Sequence, residues 1–393
     1  MKKKYIIVFS ILFLIPYTLF SGKRGELIVN FIDVGEGEST LIITPSKNKI
    51  LIDGGNENAS TKIISILEKY NITRIDSILL TTPKQEHCGG LIDIIKNYDV
   101  GYIYEPGLAA SLYTYEKFLE TIMAKQDRLS ETKNFDTHLS DILSKKYHYE
   151  YSPVRAGDTL NIDPDIEIIV LNPPFLYKNS TSDIDNSSLV IKIIYGKISF
   201  LFTGDISTEA EKYLISQSYK LKATILKVPL HGDYKANKLF FIKKIKPEVA
   251  IIFTGKNNKN GYPSLNTLRN YKKIKTQLYR TDLNGTIKIV TDGFKYKIYP
   301  EKRIPITKIY NLVYNCKKKI NYYSNNITSK KLININEATA EDLLKLPSLG
   351  IVKSQLIIKY RNKHGKFKDI DDLKNVPGLT DKIINKIKDK IKF

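Results

Sequence analysis

Two short segments near the C-terminus combine proline, small residues and lysine in an order suited to binding an anion. LPSLG at 346–350 precedes one predicted helix, and VPGLT at 376–380 precedes another. A tight turn of small residues lets the backbone approach a phosphate, and its N–H groups join those of the following helix N-terminus in an anion site. Lys353 and Lys382 lie in the first turn of these helices and can add charge-assisted contacts. The candidate phosphate-binding residues are Pro347, Ser348, Leu349, Gly350, Lys353, Pro377, Gly378, Leu379, Thr380 and Lys382.

The sequence around these hairpins, INEATAEDLLKLPSLG followed by II.YR, G.F and DL..VPGL, closely resembles the DNA-binding domain of ComEA-type competence proteins. The resemblance covers 332–393 and implies a paired helix-hairpin-helix module that binds duplex DNA without sequence preference. Ser348 stands where that family prefers glycine, and Thr380 replaces the second glycine of the second hairpin. Either departure is expected to narrow the approach of the backbone to a phosphate and weaken one hairpin.

The alternative for this segment is a helical packing or protein-docking module that kept the fold and lost DNA binding. Residues 331–393 carry 14 basic against 8 acidic side chains, an excess that favours DNA. Contacts from such a module go to phosphates, so they give affinity without base specificity.

The larger part of the chain, 26–303, alternates strand-like and helix-like segments, which predicts a mixed α/β fold rather than an all-β fold. ELIVNFIDV, TLIITP and ILIDGG are predicted strands separated by polar turns, and a helical period follows over 60–70. The further predicted strands are DSILLTTP, DTLNI, IEIIVLNPP, two within 188–203, and those within 223–228, 248–254 and 285–300. The further predicted helices are GGLIDIIKNY, a polar helix-like stretch over 112–147, and 208–219 and 235–243.

Several of these segments resemble the metallo-β-lactamase-like domain of ComEC-type competence proteins. The quoted matches are FIDVGEGESTLIITPSKNKILIDGG, LLTTPKQEHCGG, DNSSLVIKIIYGKISFLFTGD, LKVPLHGD, NGYPS and RTDLNGTIKIVTDG, in the family's order. The resemblance covers roughly 26–300 and implies an αββα sandwich, with two sheets back to back and helices on both outer faces.

The metal ligands that this resemblance implies are largely replaced. A hydrolytic site of this class needs histidines and carboxylates around one or two metal ions, with an open position for water. The departures from the family pattern are Thr82, Lys84, Glu86, Leu230 and Tyr262. The remaining candidate ligands are Glu86, His87, Asp205 and His231. We therefore expect no two-metal centre and either no cofactor or one Zn or Mn ion, with Glu86 as the candidate general base if a metal holds water.

Lys84 occupies the position of a second ligand in this motif. An ammonium group there repels a cation and attracts the remaining carboxylates, so we expect it to replace a lost metal ion by pairing with Asp205 or Glu86. Such a pair offsets the cost of burying unpaired carboxylates.

The chain has a formal net charge of +21, which favours a polyanionic partner, although the general richness in Lys, Ile and Asn accounts for part of it. Its N-terminus has a basic start, an apolar run over 5–20 and small residues at 21–22, which is typical of a secretory signal. An uncleaved anchor over 5–20 is the alternative. Either one predicts export across the cytoplasmic membrane, to the periplasm or the exterior.

Residues 304–331 are basic, rich in Asn, Ser and Tyr and without a clear period, so we interpret them as a linker between 26–303 and 332–393. Cys88 and Cys316 are the two cysteines, and the sequence leaves open whether they pair.

Two functions remain at this point. The first is an exported competence-like protein that holds DNA through its C-terminal module while the sandwich domain serves as a scaffold. The second is a mononuclear metal-dependent DNA phosphodiesterase. No small-molecule cofactor is indicated, and a role in DNA transport would require a membrane-transport partner.

Overall fold

The structure is a computed structural model, and it describes residues 25–108, 110–132, 150–217, 221–256, 258–304 and 332–393. The predicted secretory signal, the linker and Cys316 lie outside these residues. The described secondary structure forms two units with their own apolar cores, one in 25–304 and the other in 332–393.

The larger unit contains two sheets. The strands of the first sheet, in sequence order, are β1 (Leu27–Phe31), β2 (Thr40–Ile43), β3 (Lys49–Ile52), β4 (Arg74–Leu79), β5 (Asp99–Glu105), β6 (Glu150–Pro153), β13 (Ile287–Thr291) and β14 (Tyr296–Pro300). Their spatial order is β14-β13-β1-β2-β3-β4-β5-β6. The pairs from β14 to β3 are antiparallel, and those from β3 to β6 are parallel.

The second sheet has the order β12-β11-β10-β9-β8-β7. Its strands are β7 (Glu167–Asn172), β8 (Val190–Tyr195), β9 (Ile198–Phe202), β10 (Ile225–Lys227), β11 (Val249–Ile252) and β12 (Gln277–Arg280). The strands β7, β8 and β9 are antiparallel, and β9 to β12 are parallel. The central parallel strands β10 and β11 are fully buried because both of their faces are covered, and Lys227 is their one charged residue.

The helices of this unit cover the outer faces of the two sheets. They are α1 (Ser60–Lys69), α2 (Gln85–Cys88), α3 (Leu91–Asn97), α4 (Tyr113–Thr132), α5 (Asp183–Asn186), α6 (Thr208–Ser216), α7 (Leu239–Ile245), α8 (Leu265–Lys273) and α9 (Thr281–Asn284). One apolar cluster fills the space between the sheets, with Phe31, Phe200 and Phe202 among its members. A second cluster joins the first sheet to α1, α3 and α4, and a third joins the second sheet to α6, α7 and α8. The predicted αββα sandwich is therefore confirmed.

Most predicted strands and helices are present, with shifts at their ends. DTLNI is an exception, because Thr159 forms an isolated bridge to Ile169 and the segment is otherwise irregular. The predicted helix over 235–243 begins later, at Leu239, because Asp233 to Lys238 form a turn whose N–H groups are bonded to side chains.

The smaller unit has its own apolar core. Its elements are β15 (Ile333–Asn334), α10 (Ala340–Leu343), α11 (Ile351–His364), α12 (Asp381–Ile387) and β16 (Ile391–Lys392). β15 pairs with β16 and joins the two ends of the unit. Its buried cluster, which includes Ile335, Leu346 and Ile357, contains no residue of the three clusters of the larger unit.

Candidate functional sites

The turn between β1 and β2 carries Glu38 into the interior. Its backbone N–H donates to the carbonyl of Glu86 at 3.1 Å, and its own carbonyl accepts from Gly55 at 2.7 Å. Gly37 makes this close approach feasible, since its φ is +130° and a Cβ there would lie 2.6 Å from the Glu86 carbonyl oxygen. Burial raises the pKa of Glu38, against the opposing influence of Lys227 and the two nearby histidines.

His87, in α2, is fully buried between two carboxylates. Its Nδ1 lies 2.9 Å from Asp53 Oδ2, and its Nε2 lies 3.2 Å from Asp205 Oδ2. Asp53 is itself fixed by Thr81, whose N–H and hydroxyl both donate to it at 2.7 Å. Although burial opposes the charged form, Asp205 and Asp53 raise the pKa of His87 well above its usual range. A carboxylate on Nδ1 fixes the imidazole ring and leaves Nε2 facing Asp205.

Asp205 follows β9 and is the central carboxylate of the site. Its Oδ2 accepts a hydrogen bond from the Lys84 ammonium at 2.8 Å. Lys84 also contacts Asp185 of α5, so the ammonium lies between two carboxylates. Burial opposes ionisation of Asp205, but Lys84, His87 and His231 hold its pKa well below the usual range.

His231 approaches Asp205 from the loop after β10. Leu230 and His231 have φ values of 49° and 51°, a left-handed conformation that is uncommon outside glycine. His231 Nε2 lies 3.8 Å from Asp205 Oδ1, while Nδ1 lies 3.2 Å from the carbonyl oxygen of Phe253 and 3.5 Å from Glu38 Oε1. The unusual backbone thus directs the imidazole into the cleft between the sheets.

A second lysine, Lys227 at the end of β10, is buried in the same site. Its ammonium contacts Glu38 Oε2 and donates to the carbonyl of Gly204 at 2.7 Å. A lysine that is 2% exposed requires a paired carboxylate, because an isolated ammonium is too costly to bury. Glu38 supplies that charge.

Four side chains form a group suited to a metal ion. One ligand atom from each of Glu38, His87, Asp205 and His231 lies within 4.8 Å of the others. Three of these residues present a buried atom, Glu38 Oε1, His87 Nε2 or Asp205 Oδ1, that has no hydrogen-bond partner in the described part of the chain. Buried polar atoms are nearly always hydrogen-bonded, so three converging atoms without such a bond fit the binding of a cation. Two imidazoles and two carboxylates suit Zn²⁺ or Mn²⁺.

Three members of this group, His87, Asp205 and His231, were candidate ligands from the sequence, whereas the sequence did not indicate Glu38. Glu86 was the expected carboxylate, but the group contains Glu38 instead. His87 is buried in the group, whereas Glu86, the preceding residue of the same short helix, is not a member of it. Glu86 lines the cleft beside the group, and its role as a general base stays a prediction. The expected contact between the Lys84 ammonium and Asp205 is present, and Asp185 is an additional partner that the sequence did not indicate.

A cleft of about 320 Å³ leads to this group. Tyr262, which stands at a family ligand position, stacks on His231 with 5.8 Å between the ring centroids. The cleft lining is Glu36, Gly37, Asn56, Lys84, Gln85, Glu86, Asp205, Leu230, His231, Thr254, Gly255, Asn258, Asn260 and Tyr262. The site is therefore open to a ligand from one side.

The two hairpins of the smaller unit have the same local structure. Leu349 N–H donates to the Leu346 carbonyl at 3.3 Å, and Leu379 N–H donates to the Val376 carbonyl at 3.1 Å. In both turns proline occupies the second position and a residue with positive φ the third, which is the pattern of a type II turn. The apolar residues of each turn are buried, while the turn tip and the helix N-cap, Gly350 or Thr380, are exposed.

Both helix N-termini lack a capping side chain. Gly350 has no side chain to cap its helix, and the Thr380 side chain makes no hydrogen bond to the first turn of its helix. First-turn N–H groups without a capping side chain attract an anion. Lys353 and Lys382 lie in these first turns as predicted, and Lys386 reaches from α12 to within 3.4 Å of the Ser348 hydroxyl. The hairpins are therefore neighbours.

The hairpins differ at their tips. Ser348 has a φ of 63° where Gly378 has a φ of 83°, so serine adopts a conformation that glycine tolerates better. Thr380 takes an extended conformation before its helix, which any residue can adopt. Asp381 adds a negative charge to the first turn of α12. Thus Ser348 carries the backbone strain, while the second hairpin has the less favourable charge.

Comparison with known families supports both units. The family model of the metallo-beta-lactamase superfamily matches residues 32–256. The chain belongs to the metallo-beta-lactamase superfamily. A family model of the helix-hairpin-helix motif matches residues 328–392 of the same chain. Both resemblances predicted from the sequence are thereby confirmed.

Several relatives of this metallo-beta-lactamase superfamily member are named as competence or competence-operon proteins. ComE operon protein 3 of Bacillus subtilis (strain 168) is 28% identical over 307 residues, which cover 74% of this chain and 35% of that protein. Competence protein ComA of Neisseria gonorrhoeae is 23% identical over 289 residues, which cover 71% of this chain and 36% of that protein. ComE operon protein 1 of Bacillus subtilis (strain 168) is 42% identical over 60 residues, which cover 15% of this chain and 29% of that protein. This chain spans about a third of the two larger relatives.

Membrane spans were also sought among the described residues. None of the helices described there combines the length and apolar character needed to cross a bilayer. The apolar run over 5–20, on which the predicted export depends, lies outside those residues.

Proposed function

We propose that this protein is an exported, competence-type DNA-binding protein that holds duplex DNA non-specifically through the hairpins of 332–393. The observation that carries the proposal is the pair of adjacent hairpins, each with a type II turn, an N-terminus without a capping side chain and a first-turn lysine. The names of the relatives support a role in competence, and the net charge of +21 supports a polyanionic partner.

Binding of this kind rests on phosphates. Backbone N–H groups at the turns and helix ends donate to phosphate oxygens, and Lys353, Lys382 and Lys386 add charge at the same surface. Each neutralised phosphate releases counterions, so log affinity should fall with log salt by about 0.9 per contact. Base edges take no part, so affinity should be similar for unrelated duplexes.

Deletion of 332–393 tests the location of the DNA site. We expect the full chain to bind mixed-sequence duplex with steep salt dependence and the truncated chain to lose at least tenfold in affinity, as measured by fluorescence anisotropy. Undiminished affinity after the deletion would place the DNA site in the larger unit.

Single lysine variants test the hairpins themselves. Lys353→Ala and Lys382→Ala should each weaken binding and lower the salt slope by about 1, because each removes one phosphate contact. Lys363→Ala is a matched control, since Lys363 is exposed in the last turn of α11, about 15 Å from Lys353 along the helix. Equal losses in all three variants would indicate a general charge effect instead of hairpin binding.

In this proposal the sandwich domain acts mainly as a scaffold that has lost most of the family's metal ligands. A membrane-transport partner would be required if the held DNA is to cross a bilayer. The predicted signal or anchor over 5–20 is what brings the chain to the outer side of the membrane.

A second function, metal-dependent hydrolysis of a DNA phosphodiester, is favoured by one observation. Glu38 Oε1, His87 Nε2 and Asp205 Oδ1 are buried, close together and without a hydrogen-bond partner among the residues that the structure describes. These residues and His231 would hold one divalent ion, which supplies an activated water or polarises a phosphoryl oxygen. Asp53 and Phe253 fix the two imidazole rings, and Glu86 lies in the cleft as the candidate base.

Cleavage assays separate the two functions. Manganese- or zinc-dependent nicking of DNA that His231→Gln abolishes would establish the hydrolase. DNA binding without any cleavage over a range of added metal ions would leave the scaffold function.

A further inference from the structure

We propose that Lys84 is a built-in second cation, which limits the group of Glu38, His87, Asp205 and His231 to a single divalent ion. The inference rests on the metal site of the second proposed function and is independent of the helix-hairpin-helix unit. It assigns a metal count to the site and a role to one residue.

In each of the two carboxylates of the group, one oxygen contacts a lysine and the other faces the other members of the group. Asp205 uses Oδ2 for the Lys84 ammonium at 2.8 Å, while its Oδ1 accepts no hydrogen bond from the described residues and lies 3.8 Å from His231 Nε2. Glu38 uses Oε2 for Lys227, while its Oε1 accepts no hydrogen bond from the described residues and lies 3.5 Å from His231 Nδ1. Each carboxylate therefore has one oxygen neutralised by a lysine and one oxygen turned to the shared centre. A carboxylate between two metal ions would divide its oxygens similarly, with a second ion where the ammonium of Lys84 lies.

The charges of the site balance with one ion. Four carboxylates, of Glu38, Asp53, Asp185 and Asp205, contact the histidines and lysines of the site, and all are less than 9% exposed. The ammonium groups of Lys84 and Lys227 offset two of these charges. The imidazole of His87, which the neighbouring carboxylates favour in its charged form, must release its proton to bind an ion. The four carboxylates and two ammonium groups then sum to about −2, which one divalent cation neutralises.

A second ion would meet the Lys84 ammonium. Asp205 Oδ2 is already bound by this ammonium, and Asp185 contacts its other side. An ammonium has donors and no lone pair, so it repels an ion instead of binding it. Because both would contact Asp205, the ammonium and a second ion would lie within a few ångströms of each other, where the repulsion between two buried positive charges is strong. Removing the charge would leave oxygens of Asp205 and Asp185, beside Glu86, for a second ion.

Counting Mn²⁺ ions in the full chain tests the inference, and hard oxygen ligands make Mn²⁺ a suitable probe. We expect calorimetric titration of the metal-free protein to give one ion, with the electron paramagnetic resonance spectrum of an isolated Mn²⁺. Lys84→Met should bind two ions and give the spectrum of a magnetically coupled pair. Lys69→Met, at an exposed position of α1, and Lys84→Arg, which keeps the charge, should both remain at one.

His231→Gln shows whether the ion occupies the proposed group, because it should lower Mn²⁺ affinity at least tenfold while circular dichroism stays unchanged. Two ions in the wild type, no ion in the wild type, or one ion in folded Lys84→Met would each overturn the inference. If Lys84→Met does not fold, the number of Mn²⁺ ions and the electron paramagnetic resonance spectra of the wild type and Lys84→Arg still test the inference, since two ions in either protein would contradict it. A single bound ion without DNA cleavage would support this inference while contradicting the hydrolase.

Discussion

Two lysines in the sandwich domain neutralise buried carboxylates, a role that solvent or metal ions fill at other sites. Lys84 contacts Asp185 and Asp205 near the cleft, whereas Lys227 contacts Glu38 in the interior. Pairing explains how these charges are tolerated, since a buried charge without a partner is far more costly than a buried pair.

Lys227 gives the residue-scale prediction. Lys227→Met, measured by urea unfolding in a chelating buffer, should destabilise the protein by about 3–5 kcal/mol because the Glu38 carboxylate loses its buried partner. Adding Glu38→Gln should recover part of this loss, because the remaining group is then neutral. Additive losses in the double variant would contradict a direct pairing between the two side chains.

At the scale of elements, the loops at one edge of the two sheets position the site, and α6 and α7 are fixed beside it. Glu211 of α6 accepts hydrogen bonds from the backbone N–H groups of Asn237 and Lys238, which precede α7. It is fully buried, and its burial raises the pKa to about 8 from the usual 4.5. The helix junction is therefore sensitive to pH.

The sign of this dependence follows from the raised pKa. Between about pH 4.5 and 8 the unfolded chain has released the Glu211 proton while the folded chain retains it, so the stability contribution of Glu211 falls as pH rises. Glu211→Gln cannot titrate. We expect its free energy of unfolding, relative to that of the wild type, to rise by at least ~1 kcal/mol from pH 5 to pH 8, since one pKa unit corresponds to ~1.4 kcal/mol.

Urea unfolding of both proteins at several pH values measures this difference. Glu68→Gln, at an exposed position of α1, serves as the control and should follow the wild type. A constant difference between Glu211→Gln and the wild type would rule out the titration of Glu211 in this range.

At the scale of the whole molecule, the apolar clusters divide the described residues into two units. The core of 332–393 includes Leu343, Leu373 and Ile387 and draws on none of the residues that pack the sandwich. Two such cores allow the functions of the units to be altered separately.

This separation predicts independent losses of function. His231→Gln should leave duplex affinity within about twofold of the wild type, because the hairpins lie in the other unit. Deletion of 332–393 should leave the Mn²⁺ count unchanged. A loss of DNA affinity in His231→Gln, measured by anisotropy without added metal, would instead indicate that DNA also contacts the cleft.

Features that depend on residues close together in the chain could be predicted from the sequence. The hairpins could be predicted because turn, helix start and lysine are contiguous, and the family model over 328–392 confirms that motif. The sandwich could be predicted because strands and helices alternate with clear periods. His87, Asp205 and Lys84 could be singled out because each occupies a recognisable short motif.

The tertiary structure alone decided which acid completes the group. Glu38 lies in the turn between two strands of the first sheet and Lys227 ends a strand of the second, so their pairing depends on how β1, β2 and β10 meet. A lysine in the apolar stretch over 223–228 was the available signal for a buried ion pair. Glu86 was a reasonable candidate by motif, yet the turn at Gly37 brings Glu38 against the Glu86 carbonyl and into the interior. Side-chain types follow from the sequence, but their convergence follows from the packing of two sheets.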